Sequence, residues 1–374
     1  MKTDLQIRPN TPDSCPLLWE RADEESQPEM RIMHGFTPKW FRNTMGLDYM
    51  EAWHQDPVLR RDSLVRMKQT LNEHFPDLML GGSDPDAITG TVSVAYGTTV
   101  IASILGSPIH YMDDNWPANP PSEMTEDEAM ALTVPDLDQN IVFQDLMRQM
   151  DQIEEKWGRI EGVLNFQGVL NNSFRVRGQD IFVDIALNPE IARHVFGVVT
   201  ETMIKVIKAI YARQNASGVE RDFFVTSNCV VNMVSGAHYE EFLLPYDQQL
   251  AEAFTYFGIH NCAWNVDAYL DGYRTIEKLG YLDFGLDSDL ERIREMFPET
   301  RRCLMYSPVE LQNKSLAEIE SDLEDIREEL SPCEIILTDI EDTTPDERVL
   351  DFYRLCGKIW KMDIRDLVPT TMSR

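Results

Sequence analysis

The chain is poor in positive charge. Over 374 residues it carries 34 Lys and Arg against 64 Asp and Glu, a formal net charge of −30. Such a polyanion is repelled by nucleic acid and by anionic membrane surfaces, so neither is an expected partner. No Lys/Arg-rich run argues otherwise. The first twenty residues, "MKTDLQIRPNTPDSCPLLWE", lack the apolar core of a secretory leader. Long apolar runs are also missing. Residues 87–109 are uncharged, but Gly90, Gly97, Gly106 and Pro108 interrupt them and His110 and Asp113 follow closely. They are expected to form a buried strand and then a helix, not a membrane span. The six cysteines, at 15, 229, 262, 303, 333 and 356, are too scattered for a disulfide framework, which points to a reducing, cytoplasmic setting. Neither a GxGxxG run nor a P-loop follows any expected strand, which weighs against a nucleotide-binding sheet.

What is present is ample apolar material, 43% of the residues, in an ordered pattern. Residues 1–90 read as helical and irregular, with Asp56 and Pro57 opening a periodic segment over 56–75. Beyond Gly90, short apolar runs alternate with amphipathic segments. The runs are "TVSVAY" (91–96), "IEGVLNF" (160–166), "DFFVTSN" (222–228), "FGIHNCAW" (257–264), "YLDFGLD" (281–287), "RCLMYS" (302–307) and "CEIILTDI" (333–340). Between them, 188–214 and 315–330 carry helical periodicity. This alternation predicts an α/β protein with a parallel sheet. Seven runs, with an eighth easily missed, suggest a (β/α)8 TIM barrel over 91–374 behind a helical extension over 1–90. A doubly wound sheet is the alternative.

In a barrel, reactive groups gather at the C-terminal ends of the strands. The polar residues expected there are Asn165, Gln167, Ser227, Asn228, His260, Cys262, Asp287, Tyr306, Ser307 and those from Cys333 to Asp339. His260 and Cys262, at i and i+2, share one face of an extended strand and lie within reach of one ion. The same pair reads equally as a buried histidine beside a buried thiol. A third soft ligand would decide, and Cys333 is the candidate; Cys303, at the start of its run, and Cys356, on an expected helix, compete. Two thiolates and a neutral imidazole suit Zn²⁺, and three protein ligands leave a position open for substrate. Arg175 and Arg177 in "FRVRG" either grip an anionic substrate group or pair with acids of the chain. Asp339, Glu341 and Asp342 supply carboxylates after the last run, as a general base, a fourth ligand or a solvated loop. His238 opens an expected helix, and Tyr96, Trp264 and Tyr306 line either a pocket or the core.

The stretches "FQGVLNNSFRVRGQDIFVDIALNPE" (166–190), "SGAHYEEFLLPY" (235–246), "GIHNCAWNVD" (258–267) and "CEIILTDIEDTTPDERVLDFYRL" (333–355) resemble the uroporphyrinogen decarboxylase superfamily. Within it, the chain is most similar to the zinc-dependent, corrinoid-linked methyltransferases. The resemblance spans about residues 90–365. It implies a (β/α)8 barrel and a zinc site of His260, Cys262 and Cys333, the metal ligands and catalytic centre. It also implies methyl transfer between a corrinoid, free methylcobalamin or a separate corrinoid protein, and a small thiol or a methoxy or otherwise methylated substrate. Asn165, Gln167, Arg175, Asn228, Tyr306 and Asp339 are the expected substrate-binding groups. The Met-Arg-Gln-Ala-Gly-Arg stretch with which the decarboxylases grip tetrapyrrole propionates is missing from "ERADEESQPEMRIMHGFTPKWF". A metal-free decarboxylase of the same superfamily, or a zinc-bound scaffold without catalysis, are the competing readings.

Overall fold

The computed structural model describes residues 29–84 and 91–369. Six strands form one parallel sheet: β1 (Met30–Phe36), β2 (Phe223–Ser227), β3 (Tyr256–His260), β4 (Leu279–Gly285), β5 (Arg301–Met305) and β6 (Cys333–Ile340). Their spatial order is β1-β6-β5-β4-β3-β2. β2 to β6 run in sequential order because each is followed by helix that returns the chain to the sheet's starting edge, the right-handed crossover rule for parallel strands. Two isolated parallel bridges, Gln167 with Ser227 and Thr91 with Glu161, carry the same order outward from β2 into two further chain segments. The expected α/β class is therefore met.

Several elements follow from local sequence. Asp56 caps the helix Pro57–His74, its side chain accepting from the N–H groups of Val58 and Leu59. Ser315 and Glu318 close a reciprocal capping box on the helix Leu316–Glu329, whose Ile319, Leu323 and Ile326 pack inward. The strands are buried almost throughout, as expected of a sheet covered by its helices.

Two expectations are corrected. β1 pairs with β6 from Met30 to Phe36, so the sheet begins inside the segment read as a helical extension. Only the part from Pro38 to His74 is helical as read. The run 91–96 contributes a single bridge at Thr91 and then turns, with Val94 and Tyr96 at positive φ, before the short helix Val100–Ile104. Cys15, the first twenty residues, residues 1–28 and 85–90 of the extension and residues 87–90 of the uncharged stretch lie outside the described residues. Among those described, no helix is long and apolar enough to cross a membrane.

Candidate metal centre

β2 and β3 are neighbours, and Ser227 pairs with His260 at their C-terminal ends. Each strand then stops, and two residues further on each chain places a cysteine: Cys229 after β2 and Cys262 after β3. The Asn228 N–H donates to the His260 carbonyl at 2.7 Å, holding the two ends together. Cys262 sits at φ +58 and not in extended conformation. That turn brings its Sγ to 3.1 Å from His260 Nε2 and 2.8 Å from Cys229 Sγ. The ligand atoms of Cys229, His260 and Cys262 all lie within 4.8 Å of one another.

Asp283 on β4 organises the group. Its Oδ2 lies 2.6 Å from His260 Nδ1 and also accepts from the Tyr281 hydroxyl at 2.7 Å. Its Oδ1 accepts from the Asn261 N–H at 2.7 Å. A buried carboxylate on Nδ1 holds that proton in place and directs Nε2 at the two sulfurs, the arrangement that orients metal-bound histidines. Burial opposes charge on His260, but the Asp283 carboxylate and Cys229 beside it raise its pKa well above the usual value. The hydrogen bond from Cys262 lowers Cys229 well below the ordinary thiol range, against the effect of burial and with help from His260. Cys262, which donates that bond and is itself buried close to Cys229, Asp283 and Asp339, is raised.

The donor set fits Zn²⁺. With Zn–S at about 2.3 Å, tetrahedral geometry needs the sulfurs about 3.8 Å apart, so they must part by about 1 Å from their hydrogen-bonded contact. Both thiols are only partly exposed, and both sit on loops beyond the strand ends, where such a shift leaves the sheet untouched.

Cys333 is not part of this centre. It opens β6, with its Cα paired to Met30 at the start of β1. It is fully buried beside Ser331, Arg302 and Cys356 of the outer helix Asp346–Trp360, and burial pushes its thiol up to about 12. Asp339, whose charge bears on Cys262, is six residues further along the same strand, about 20 Å away at 3.3 Å per residue. The third soft donor beside His260 and Cys262 is Cys229, and the three could hold a metal ion.

The other expected residues divide. Arg175 is half-buried and donates to neutral side chains, Asn119 Oδ1 at 2.9 Å and Thr98 Oγ1 at 2.8 Å. Arg177 instead pairs with Asp180 and buried Asp184. Asn165 Oδ1 is buried with no hydrogen-bond partner. Gln167 accepts from Asn171 at 2.5 Å. Asp339, at φ +55, ends β6 toward the centre. Asn228 turns away, donating to Asp247 Oδ2 at 2.9 Å on the helix Leu244–Ala253. Tyr306 is also turned outward, its hydroxyl on Asp322 of the helix Leu316–Glu329 at 2.6 Å. These two are corrected from substrate contacts to packing contacts, because each spends its polar group on an outer helix. Tyr96 is core, bonded to Asp145, whereas Trp264 and His238 are exposed. Asp342 is paired with Lys39 and Asn43.

No protein-family model matches the chain, and no curated protein matches it. Among solved structures it is similar to a methyltransferase from Methanosarcina mazei, with a TM-score of 0.62, at 16% identity over 89% of this chain and 94% of that one. At that identity the likeness is one of fold.

Proposed function

We propose that this chain is a methyltransferase that moves a methyl group between a corrinoid and a small thiol or methylated substrate, with Cys229, His260 and Cys262 as its zinc ligands. The observation that carries the reading is the convergence of those three donors, oriented by Asp283, at the C-terminal ends of adjacent parallel strands. The reading includes a closed (β/α)8 barrel, for which the two bridges beyond β2 supply the missing strand positions, and a cytoplasmic setting. The named methyltransferase of the same fold adds support.

Zn²⁺ bound there would act as a Lewis acid that holds a substrate thiol as thiolate or polarises a methylated donor. The chain's own groups have separable tasks. Asp283 keeps the His260 Nδ1 proton in place so that Nε2 stays a donor. Asn165 Oδ1 offers a free acceptor, and Arg175 a guanidinium suited to an anionic group on the substrate. Asp339, whose charge bears on Cys262, is the nearby carboxylate suited to take or return a proton. Three exposed apolar side chains stand on the segments that follow β2, β3 and β5: Met233, Trp264 and Val309, the last in the helix Pro308–Asn313. They suit the docking of a corrinoid or its carrier protein over the strand ends.

The test is metal analysis combined with turnover of methylcobalamin against a panel of thiols, and of cob(I)alamin against methylated donors. One zinc per chain, lost in Cys229→Ser and Cys262→Ser but kept in Cys333→Ser, together with turnover, is the expected result. Zinc-free protein that decarboxylates a substrate would establish the metal-free lyase instead. Bound zinc without turnover of any pair would leave a scaffold.

A further inference from the structure

The sulfurs of Cys229 and Cys262 meet at 2.8 Å with no backbone hydrogen bond between the two residues. The backbone explains how. Ser227 and His260 are register partners on adjacent parallel strands, and each cysteine lies two residues beyond its member of that pair. Beyond that pair both segments leave the extended conformation, Cys262 at φ +58, and the two turns bring the thiols into contact. Sulfur–sulfur contact needs to shorten only to about 2.05 Å for a bond. Both side chains are partly exposed, while Cys303, Cys333 and Cys356 are buried. A small oxidant reaches this pair first.

We infer that Cys229 and Cys262 form a reversible oxidation site, closed as a disulfide by hydrogen peroxide or a related hydroperoxide. Peroxide oxidises one sulfur to a sulfenic acid and releases water. The second sulfur attacks it, a second water leaves, and the S–S bond forms. Two thiols lose two electrons and two protons; one peroxide is reduced to two waters. The disulfide is incompatible with metal binding by either sulfur, so oxidation would leave His260 as the remaining donor of the three. The inference rests on the three-ligand reading only in that last consequence.

The experiment treats purified full-length protein, as isolated and after chelation, with hydrogen peroxide, and maps peptides without reduction. A crosslink joining the peptides that carry Cys229 and Cys262 is expected, with the intact mass lower by two hydrogen atoms and restored by dithiothreitol. In protein isolated with zinc, metal release followed by a chromogenic chelator should rise in step with the crosslink. Cys262→Ser should give no crosslink and instead accumulate sulfinic acid on Cys229. Because the decisive measurement is made on the wild type, poor folding of that variant does not affect it. Wild-type protein that goes to sulfinic acid without a 229–262 crosslink, or that crosslinks Cys303, Cys333 or Cys356 as readily, overturns the inference. A crosslink in protein with no methyl-transfer activity leaves it standing and removes the functional reading; turnover without a crosslink does the reverse.

Discussion

Asp283 governs what His260 can do. It is fully buried, and its two oxygens serve His260, Tyr281 and the Asn261 N–H at once. Asp283→Asn should keep the shape but lose the charge that favours Nε2 as donor, lowering zinc affinity about 10–100-fold. Competition with a fluorescent zinc chelator measures this, and unchanged affinity would show that Asp283 only packs. Asp247 illustrates a different balance. Burial raises its pKa to about 6, against hydrogen bonds from Asn228 and Tyr239. The folded chain then holds that proton more tightly than the unfolded one. Stability from this group is full below the ordinary carboxylate range and is lost as pH rises to about 6, by about 1.4 kcal/mol per pH unit in that window. Asp247→Asn keeps an acceptor for both donors and should flatten that part of the curve. Urea midpoints at several pH values from 4 to 7 test it, and an unchanged slope in the variant refutes the assignment.

At the scale of elements, the centre depends on how closely the loop after β3 lies on β4. A Cβ on Gly285 would stand 2.1 Å from the Ala263 carbonyl oxygen, and the Gly285 N–H donates to the Trp264 carbonyl at 2.8 Å. Only glycine allows that approach, and the loop it seats carries Cys262. Gly285→Ala should cost about 1–3 kcal/mol of stability. It should also weaken zinc binding, because Cys262 is displaced while the strands remain. Loss of stability with full zinc affinity would mean that the loop finds its place without this contact. The strands themselves were legible. "CEIILTDI" is β6 residue for residue, and the runs at 222–228, 257–264, 281–287 and 302–307 each overlap a strand. The runs 91–96 and 160–166 were not: each gives only an isolated bridge, because buried turn and buried strand draw on the same apolar residues, and positive φ at Val94, Tyr96 and Gly162 breaks the extended chain.

At the scale of the whole molecule, the fold does not hang on the ion. One apolar core runs through all six strands and the helices around them, and of the three proposed metal donors it includes only Cys262, at its margin. Removing metal with a chelator should leave the far-ultraviolet circular dichroism unchanged. It should lower Tm only by the linkage term, less than about 10 °C for a chain of this size. Unfolding at room temperature after chelation would mark the site as structural.

The sequence by itself determined what local chemistry decides: the alternation of strands and helices, the caps at Asp56 and Ser315, and the pairing of His260 with Cys262, two residues apart. It also held an unused clue. Cys303 and Cys333 both open their runs, the wrong end of a barrel strand for a site at its C-terminal face, whereas Cys229 follows the end of "DFFVTSN". Only the tertiary structure decided which cysteine completes the group, that Asp283 orients His260, and that Arg177 is paired with acids while Arg175 meets neutral groups. Those partners lie 23 to 77 residues apart, except for Asp180 and Asp184, which follow Arg177 closely in the chain. Sheet order and register set such neighbours, and no spacing along the chain encodes them.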